Sequence, residues 1–432
     1  MEGKKLIKSI RLRNILSYGE RSEHVELQPL NVLIGRNASG KSNLIEAISL
    51  LNAMPKDLAN PIREGGGIRE WLWKGAKTDV GNADPYTRRM ANGLAGDWLW
   101  EGAQSIGAAL VETVVEYPEG VQPLRHRISF AAHGQRIQVT GESIGSETPE
   151  PYLFSESFFY QYGNGVPQLL RRETAAQPGG STTGRTLQDF SIGDLDQEQS
   201  ILSQLKEPVS YPEITHLGAK YAEIRLFREE YFGPYAVARG PQDAAAPDDF
   251  LEEDGTNLAM VLNDFEHRIQ PKREVIEKLR RFYDEIEDYT TKVQGGTVQL
   301  FLHERGLSQP IPAVRLSDGT LRYLCLLTIL CHPEPPPLLC IEEPELGLHP
   351  DIMPTIADLL KEASQRTQII VTTHSDALVS SLSDAPESVL VCERDSAGTR
   401  LRRLEPEPLK EWLDKYSLGE LWRMGEIGGN RW

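Results

Sequence analysis

Eight residues, Gly35-Arg36-Asn37-Ala38-Ser39-Gly40-Lys41-Ser42, stand between the apolar run Pro29–Ile34 and the helical pattern Asn43–Ile48, and they constrain the fold more than any other stretch of the chain. A glycine, four residues, then Gly-Lys-Ser, after a strand and before a helix, is the phosphate-loop pattern. Glycine lets backbone N–H groups turn inward on an anion, and the N-terminus of the following helix adds partial positive charge. In such a cradle Lys41 reaches the outer phosphates of a nucleotide and Ser42 offers a hydroxyl to Mg²⁺, with Arg36, Asn37, Ala38, Ser39 and Asn43 completing the loop.

Composition narrows what the rest can be. With 432 residues, 39% of them hydrophobic, the chain can bury a sizeable core and divide into two or more lobes. No stretch has the uninterrupted apolar length of a membrane-spanning helix, and Met1–Lys8 lacks the apolar segment of a secretory signal, so a cytoplasmic protein without a membrane partner is expected. A net charge of −17 argues against a surface that coats nucleic acid throughout, while leaving room for a local basic groove. The basic residues Lys272, Arg273, Lys278, Arg280 and Arg281 are interleaved with Glu274, Glu277, Asp284 and Glu285, which predicts a solvated, ion-paired helical face. Cys325, Cys331, Cys340 and Cys392 lie in or near apolar segments without Cys-x-x-Cys spacing and are expected as buried thiols.

Along the chain, Leu6–Leu12, Val25–Leu27 and Asn31–Ile34 read as strands, and a helix runs from Gly40 to about Asn52 before Met54-Pro55. Ala109–Tyr117, His126–Ala132 and Gln135–Thr140 read as an antiparallel meander. Glu70–Ala76 (EWLWKGA) is echoed at Asp97–Ala103 (DWLWEGA), the mark of a short duplication that lengthens a loop. The Gln, Pro, Gly, Ser and Thr of Thr174–Gly184 predict a loop. Gln197–Phe232 and Asn257–Tyr283 read as helices separated by a linker at Pro241–Asp249, and Gln294-Gly295-Gly296 as the turn of a hairpin. Beyond it Leu338–Ile341, Gln368–Thr372 and Ser388–Cys392 alternate with helices at Asp351–Ser364 and Asp376–Leu382, which predicts a parallel sheet whose ligand lies at the carboxyl ends of its strands.

Three further motifs carry chemistry, two of them at such ends. Leu338–Ile341 runs into Glu342-Glu343-Pro344, and because side chains alternate along a strand the two carboxylates can serve different tasks: Glu342 the metal, Glu343 the attacking water. Leu316-Ser317-Asp318-Gly319-Thr320 opens the apolar helix Leu321–Leu330 and puts a hydroxyl and unpaired N–H groups at a helix start. Thr372-Thr373-His374-Ser375 ends another strand and brings His374 to the same edge.

In chain order, Gly35–Ser42, Leu316–Thr320, Leu339–Pro344, Glu345-Leu346-Gly347-Leu348-His349-Pro350 and Thr373-His374-Ser375 resemble the ABC-type ATPase heads of the RecF, SMC and OLD (overcoming lysogenization defect) kind. The stretches IKSIRLRNILSYGE, LEEDGTNLAMVL, LSDGTLRYLCLL, IEEPELGLHPD and LGELWRMGEIGGNRW are similar to stand-alone bacterial ATPases of that group. The resemblance implies an α/β head: lobe I with Walker A and the β meander in residues 1–150, a loop and helical middle region in 151–290, lobe II in 291–405 and a tail in 406–432. It implies ATP and Mg²⁺ as cofactors, Gly35, Gly40, Lys41 and Ser42 as Walker A, Glu342 and Glu343 as Walker B, Ser317 and Gly319 as the signature, Glu345–His349 as the D-loop and His374 as the switch residue. Lys41, Glu343 and His374 would carry catalysis and Ser42 and Glu342 the metal. Two departures stand out: Glu342 where Asp is commoner, and Asp318 where transporters carry glycine. For the Q-loop, Gln199 and Gln204 come first and Gln161 behind them.

In such heads two copies enclose ATP, so the resemblance implies a homodimer, or a higher assembly, in which Ser317 of each copy meets the nucleotide held by Lys41 of the facing copy. The expected role is a nucleotide-controlled switch that senses or clamps DNA and licenses a separate TOPRIM-type nuclease in phage defence. A RecF-like repair ATPase is the alternative, and a transporter ATPase subunit ranks behind it. The tail, with Trp412, Trp422 and Trp432, is expected to pack on the core rather than serve as a docking surface.

Overall fold

The computed structural model describes residues 3–75, 108–148, 158–163, 166–172, 185–189, 195–228, 233 and 235–429. Strands β1 (Ile7–Arg13), β2 (Val25–Glu26) and β3 (Leu30–Gly35) precede the helix Lys41–Ala53. The meander follows as β4 (Ala109–Val115), β5 (Leu124–His133) and β6 (Arg136–Ser146). It continues through β7 (Phe158–Gly163), β8 (Val166–Arg172) and β9 (Arg185–Asp189), giving an antiparallel sheet in the order β2-β1-β4-β5-β6-β7-β8-β9.

The middle of the chain departs from its helical expectation. Between Gln197 and Phe232 the described helices are Ile201–Gln204 and Pro212–Ala222; Pro208 interrupts the run, and Arg225–Phe227 forms a strand, β10. Leu226 and Phe227 are buried at the edge of the central sheet, which draws this segment out of helix. The Pro- and Asp-rich linker carries a two-residue strand, β11 (Gln242–Asp243), that pairs with the predicted hairpin of β12 (Ile286–Gln294) and β13 (Thr297–Glu304). That hairpin turns on Gly295 and Gly296, both at positive φ, and β14 (Ile311–Pro312) adds to β13. Thr174–Gly184, the second copy of the Trp-Leu-Trp echo and Trp432 lie outside the described residues.

The last third alternates as expected: β15 (Leu338–Glu342), β16 (Gln368–Thr372), β17 (Val389–Asp395) and β18 (Gly398–Arg403), with helices Asp318–Leu330, Met353–Ala363 and Asp376–Ser380. These strands join β3 and β10 in one sheet, ordered β10-β15-β16-β3-β17-β18, parallel except for β18. Its apolar strands are buried on both faces. Leu30, Val32, Ile34, Leu339, Ile341, Ile369 and Val371 face one core; Leu33, Leu338, Cys340, Ile370 and Cys392 face the other. The period-two alternation of a strand thus divides a continuous apolar run between two helical layers, as a parallel sheet requires. All four cysteines are buried and none is in a disulfide.

The predicted ion-paired helix, Ile269–Phe282, behaves as charge patterning implies. Arg273 pairs with Glu277, Lys278 with Glu362 and Lys272 with Asp288, while Arg280 donates to the carbonyls of Ile286 and Glu287. The tail forms two helices, Pro406–Leu413 and Leu418–Met424. The second has a Ser417–Glu420 capping box and buries Leu418, Leu421 and Trp422, whereas Trp412 stays exposed. Gly419 is needed there, because a Cβ would strike the Asp376 carbonyl and the Ser380 hydroxyl. No helix among the described residues is long and apolar enough to cross a membrane.

One buried amide joins the antiparallel sheet to the central one. Gln368, at the start of β16, accepts from the N–H groups of Leu6 and Ile7 at 3.1 and 2.8 Å and donates to the carbonyls of Ile7 and Gln28 at 2.8 and 3.1 Å. Gln368→Leu keeps the volume and strands those backbone groups, so it should cost about 2–4 kcal/mol of apparent stability. The check is the urea midpoint followed by tryptophan fluorescence; an unchanged midpoint would show that the two sheets do not depend on this link.

Candidate functional site

The phosphate loop lies where β3 hands over to the helix Lys41–Ala53. Gly35, Ala38 and Gly40 adopt positive φ of 150°, 61° and 103°. Gly40 stands at the N-cap position with no side-chain cap, and a Cβ there would collide with the hydroxyls of Thr399 and Ser17; a Cβ on Gly35 would meet the Cys392 carbonyl. The glycines are therefore demanded twice, by backbone conformation and by close neighbours. The loop is held from outside. Thr399 Oγ1 donates to the Ser39 carbonyl at 2.8 Å, Tyr18 OH to the Gly40 carbonyl at 3.2 Å, and Arg394 to the Ala38 carbonyl at 3.4 Å. From the tail, Gly429 donates to Glu393 at 3.1 Å and runs so close that a Cβ would stand 3.3 Å from Gly35 Cα.

Within the loop Lys41 is buried, its ammonium donating to the carbonyls of Gly35 and Arg36 at 2.9 and 3.1 Å. Burial lowers its pKa, opposed by Cys392 and by the carboxylates of Glu343, Glu345 and Glu342. Ser39 Oγ is buried with no hydrogen-bond partner, a polar atom the fold alone leaves unsatisfied. Ser42 is exposed at the first turn of the helix. Beside the loop a cavity of about 360 Å³ is lined by Ser17, Asn43, Trp73, Lys74 and Arg394, the Arg394 guanidinium standing 5.7 Å from the Trp73 ring centroid.

The carboxylates arrive on the neighbouring strand but one. β15 pairs in parallel with β16, Glu342 opposite Thr372, and β16 pairs with β3, Thr372 opposite Leu33, so three strands end at one edge. Glu342 is the last residue of β15. Glu343 follows at φ 47°, a left-handed conformation unusual for a residue with a side chain, held by its N–H donating to the Thr372 carbonyl at 2.9 Å. The reversal turns Glu343 away from the strand alternation and toward His374, whose Nε2 lies 3.7 Å from Glu343 Oε1. Burial lowers the His374 pKa and the Lys41 charge lowers it further, while Glu343 and Glu345 act the other way.

Glu345 organises the turn after β16. Its Oε1 accepts from Thr373 Oγ1 and the His374 N–H, each at 2.7 Å, and from the Ser375 N–H at 3.2 Å. The D-loop is thereby tied to the segment carrying His374. It also abuts the signature: a Cβ on Gly319 would stand 2.9 Å from the Gly347 carbonyl oxygen. Ser317 caps its helix by accepting from the Thr320 N–H at 3.0 Å.

The structure therefore gathers Lys41, Glu342, Glu343, Glu345 and His374 at one sheet edge. It leaves Ser317 and Gly319 apart, with no hydrogen bond to residues 35–43 among the described residues. The glutamine candidates are elsewhere. Gln199 bonds Asp57 and the Leu58 N–H, Gln204 bonds Asp196, and Gln161 sits in β7 opposite Ser143 and Gln168. The group that does reach the carboxylates was not singled out from sequence: Arg228, just after β10, has Nε 3.6 Å from Glu342 Oε1. Only the pairing of β10 with β15, whose partners stand 114 positions apart, reveals it.

Comparisons with known proteins bear on the fold and the family. No curated protein matches the chain. Among solved structures, the chain is similar to an Smc head bound to the C-terminal winged-helix domain of ScpA, at 15% identity, covering 93% of this chain and 99% of that one with a TM-score of 0.54. It also matches an Smc head with a coiled coil and joint from Pyrococcus yayanosii at 11% identity, over 95% and 99% of the two chains, with a TM-score of 0.49. The first likeness shows the fold, that of an SMC-type head. A family model described as "AAA domain, putative AbiEii toxin, Type IV TA system" matches residues 30–83 and 181–380, more than half of the sequence, and the chain belongs to that family as an ATPase head of the ABC type.

Proposed function

We propose that this head binds and hydrolyses ATP and that two copies close around the nucleotide, making a switch whose state is set by the γ-phosphate. The observation that carries the reading is the convergence of Lys41, Glu342, Glu343 and His374 at the edge where β3, β15 and β16 end. Lys41, freed from the Gly35 and Arg36 carbonyls, would take the outer phosphates, with Gly35–Asn43 wrapping the chain of phosphates and the unsatisfied Ser39 hydroxyl available to it. The cavity lined by Trp73 and Arg394 would receive the base and ribose.

The donor set suits Mg²⁺, a hard ion that takes one or two protein oxygens and completes its shell with water and phosphate: Ser42 Oγ and Glu342 would hold it. Bound there, it would neutralise charge on the phosphates. Glu343 would orient the attacking water and accept its proton, its left-handed backbone aiming the carboxylate out of the strand. His374, whose pKa is lowered by partial desolvation and by Lys41, can donate one N–H toward the γ-phosphate, and Glu345 fixes its backbone.

Ser317 and Gly319 lie away from this edge on an exposed helix start, so in the proposed assembly they face the nucleotide of a second copy. The switch would act in the cytoplasm, sensing or clamping DNA and licensing a separate TOPRIM-type nuclease in phage defence. That role rests on the resemblance of the motifs to OLD-type heads. The ion-paired faces of Ile269–Phe282 favour it over a RecF-like repair ATPase that would grip duplex DNA with this helix, because these cations already have partners. We keep the lobe divisions at residues 150, 290 and 405 as part of this reading.

Four outcomes test it. Glu343→Gln should bind ATP as the parent does, lose hydrolysis by at least about 100-fold, and accumulate as an ATP-dependent dimer in light scattering; retained turnover would remove Glu343 from the chemistry. Pull-down of that variant from its host should bring down a nuclease, whereas recombination proteins alone would favour repair. Lys41→Ala should weaken nucleotide binding about 10- to 100-fold in a fluorescent-ATP titration, the loss expected of a charge-assisted contact. In the nucleotide-free protein, His374 should titrate below about 6.5 by NMR; Glu343→Gln should lower it further and Lys41→Met raise it, and the opposite order would contradict the placement of those charges.

A further inference from the structure

The signature of this chain contains a charge that its proposed task does not welcome. Ser317 caps the helix Asp318–Leu330, and the open N–H groups of that helix start favour an anion. Asp318, however, is the first residue of the helix, and its side chain is 66% exposed at the same end. A carboxylate there satisfies the helix dipole itself and repels an approaching phosphate.

Arg239 answers that charge. It comes from the short 3₁₀ turn Val237–Arg239 in the middle region, 79 positions before Asp318, and its side chain is 7% exposed. Among the described residues its guanidinium donates from Nη2 to Asp318 Oδ1, from Nη1 to the Leu316 carbonyl at 2.6 Å and from Nε to the Gly233 carbonyl at 3.0 Å. The residues on either side of Ser317 are thus both anchored by one buried fork, a geometry that a lysine ammonium on its flexible stem would not reproduce.

We propose that Arg239 is a positioning residue for ATP-dependent pairing: it cancels the Asp318 charge and fixes the Leu316–Asp318 backbone, so that an acidic signature can receive the triphosphate held by a second copy. The inference rests on the reading that Ser317 and Gly319 face that nucleotide. It explains why an acidic residue is tolerated in the signature, and it gives the middle region a direct part in assembling the site. Arg239 touches no substrate; it acts through Ser317 and Asp318.

The test uses the full chain carrying Glu343→Gln as the parent, with dimer formation read by light scattering across an ATP titration and affinity for a single site read with fluorescent ATP under monomeric conditions. Adding Arg239→Met should raise the ATP concentration needed for pairing about tenfold or more, the effect of about 1.4 kcal/mol or more, while single-site affinity stays within about twofold, since Lys41 and the phosphate loop are untouched. Adding Asp318→Asn to Arg239→Met should restore pairing to within about threefold of the parent, because the charge needing neutralisation is gone. Unaltered pairing by the Arg239→Met protein would overturn the proposal, as would a double variant no better than the single one, which would assign Arg239 a purely architectural role. Should Arg239→Met fail to fold, Asp318→Asn alone decides: pairing at equal or lower ATP supports the electrostatic account, and a tenfold greater requirement sinks it. A parent that binds ATP but never pairs would overturn the dimer reading and this inference together.

Discussion

The register of three parallel strands is the constraint on which the site depends. Glu342 pairs with Thr372 and Thr372 with Leu33, so the phosphate loop, the two carboxylates and His374 leave the sheet at one level. That register is secured from both faces, since a one-residue slip of β3, β15 or β16 would exchange every side chain between the two cores. A site assembled from residues more than 300 positions apart can then be exact without any long-range polar contact specifying it. The polar links that do exist refine the edge: Glu345 sets the backbone of His374, and the Thr372 carbonyl holds Glu343 in its left-handed turn.

What could be read from sequence follows the range of the interactions involved. The phosphate loop, the Glu342-Glu343 strand end, the Ser317 cap and the Gly295-Gly296 hairpin are local, each written in consecutive residues with its own backbone demands. Strand β10 was hidden for the opposite reason. Three residues between helices carry no period of their own, and only the exposed edge of β15 makes them a strand. The same applies to β7 and β8, whose Tyr, Gln and Arg content gives no clean alternation but which extend the edge of the meander. Gln199 and Gln204 were chosen from a helical stretch that packs beside the antiparallel sheet, where Glu142 accepts from the Ser200 hydroxyl and the Ile201 N–H, and Gln161 lies within that sheet.

The phosphate loop also shows how a local motif acquires long-range dependence. Its glycines could be placed from sequence, but the reasons that no other residue fits are the hydroxyls of Ser17 and Thr399 and the carbonyl of Cys392, drawn from three separate segments. Thr399 alone bonds both Ser17 and the Ser39 carbonyl, so the β17–β18 hairpin and the loop after β1 close on the cradle together. The tail adds a further wall through Gly429, which places the last described residue against the first glycine of the motif.

The middle region, finally, is not an appendage to the head. It supplies the edge strand that carries Arg228 to Glu342, and eleven positions later the guanidinium that anchors both neighbours of Ser317. The same stretch of chain therefore touches the carboxylate edge and the signature, two places with no hydrogen bond between them in one copy among the described residues. In a sheet with both faces buried, the strand at its edge is the element that can shift with the fewest lost contacts. Beside that edge the middle region sets one arginine against Glu342 and another against Asp318, so each acidic group is met by a cation from outside its own motif.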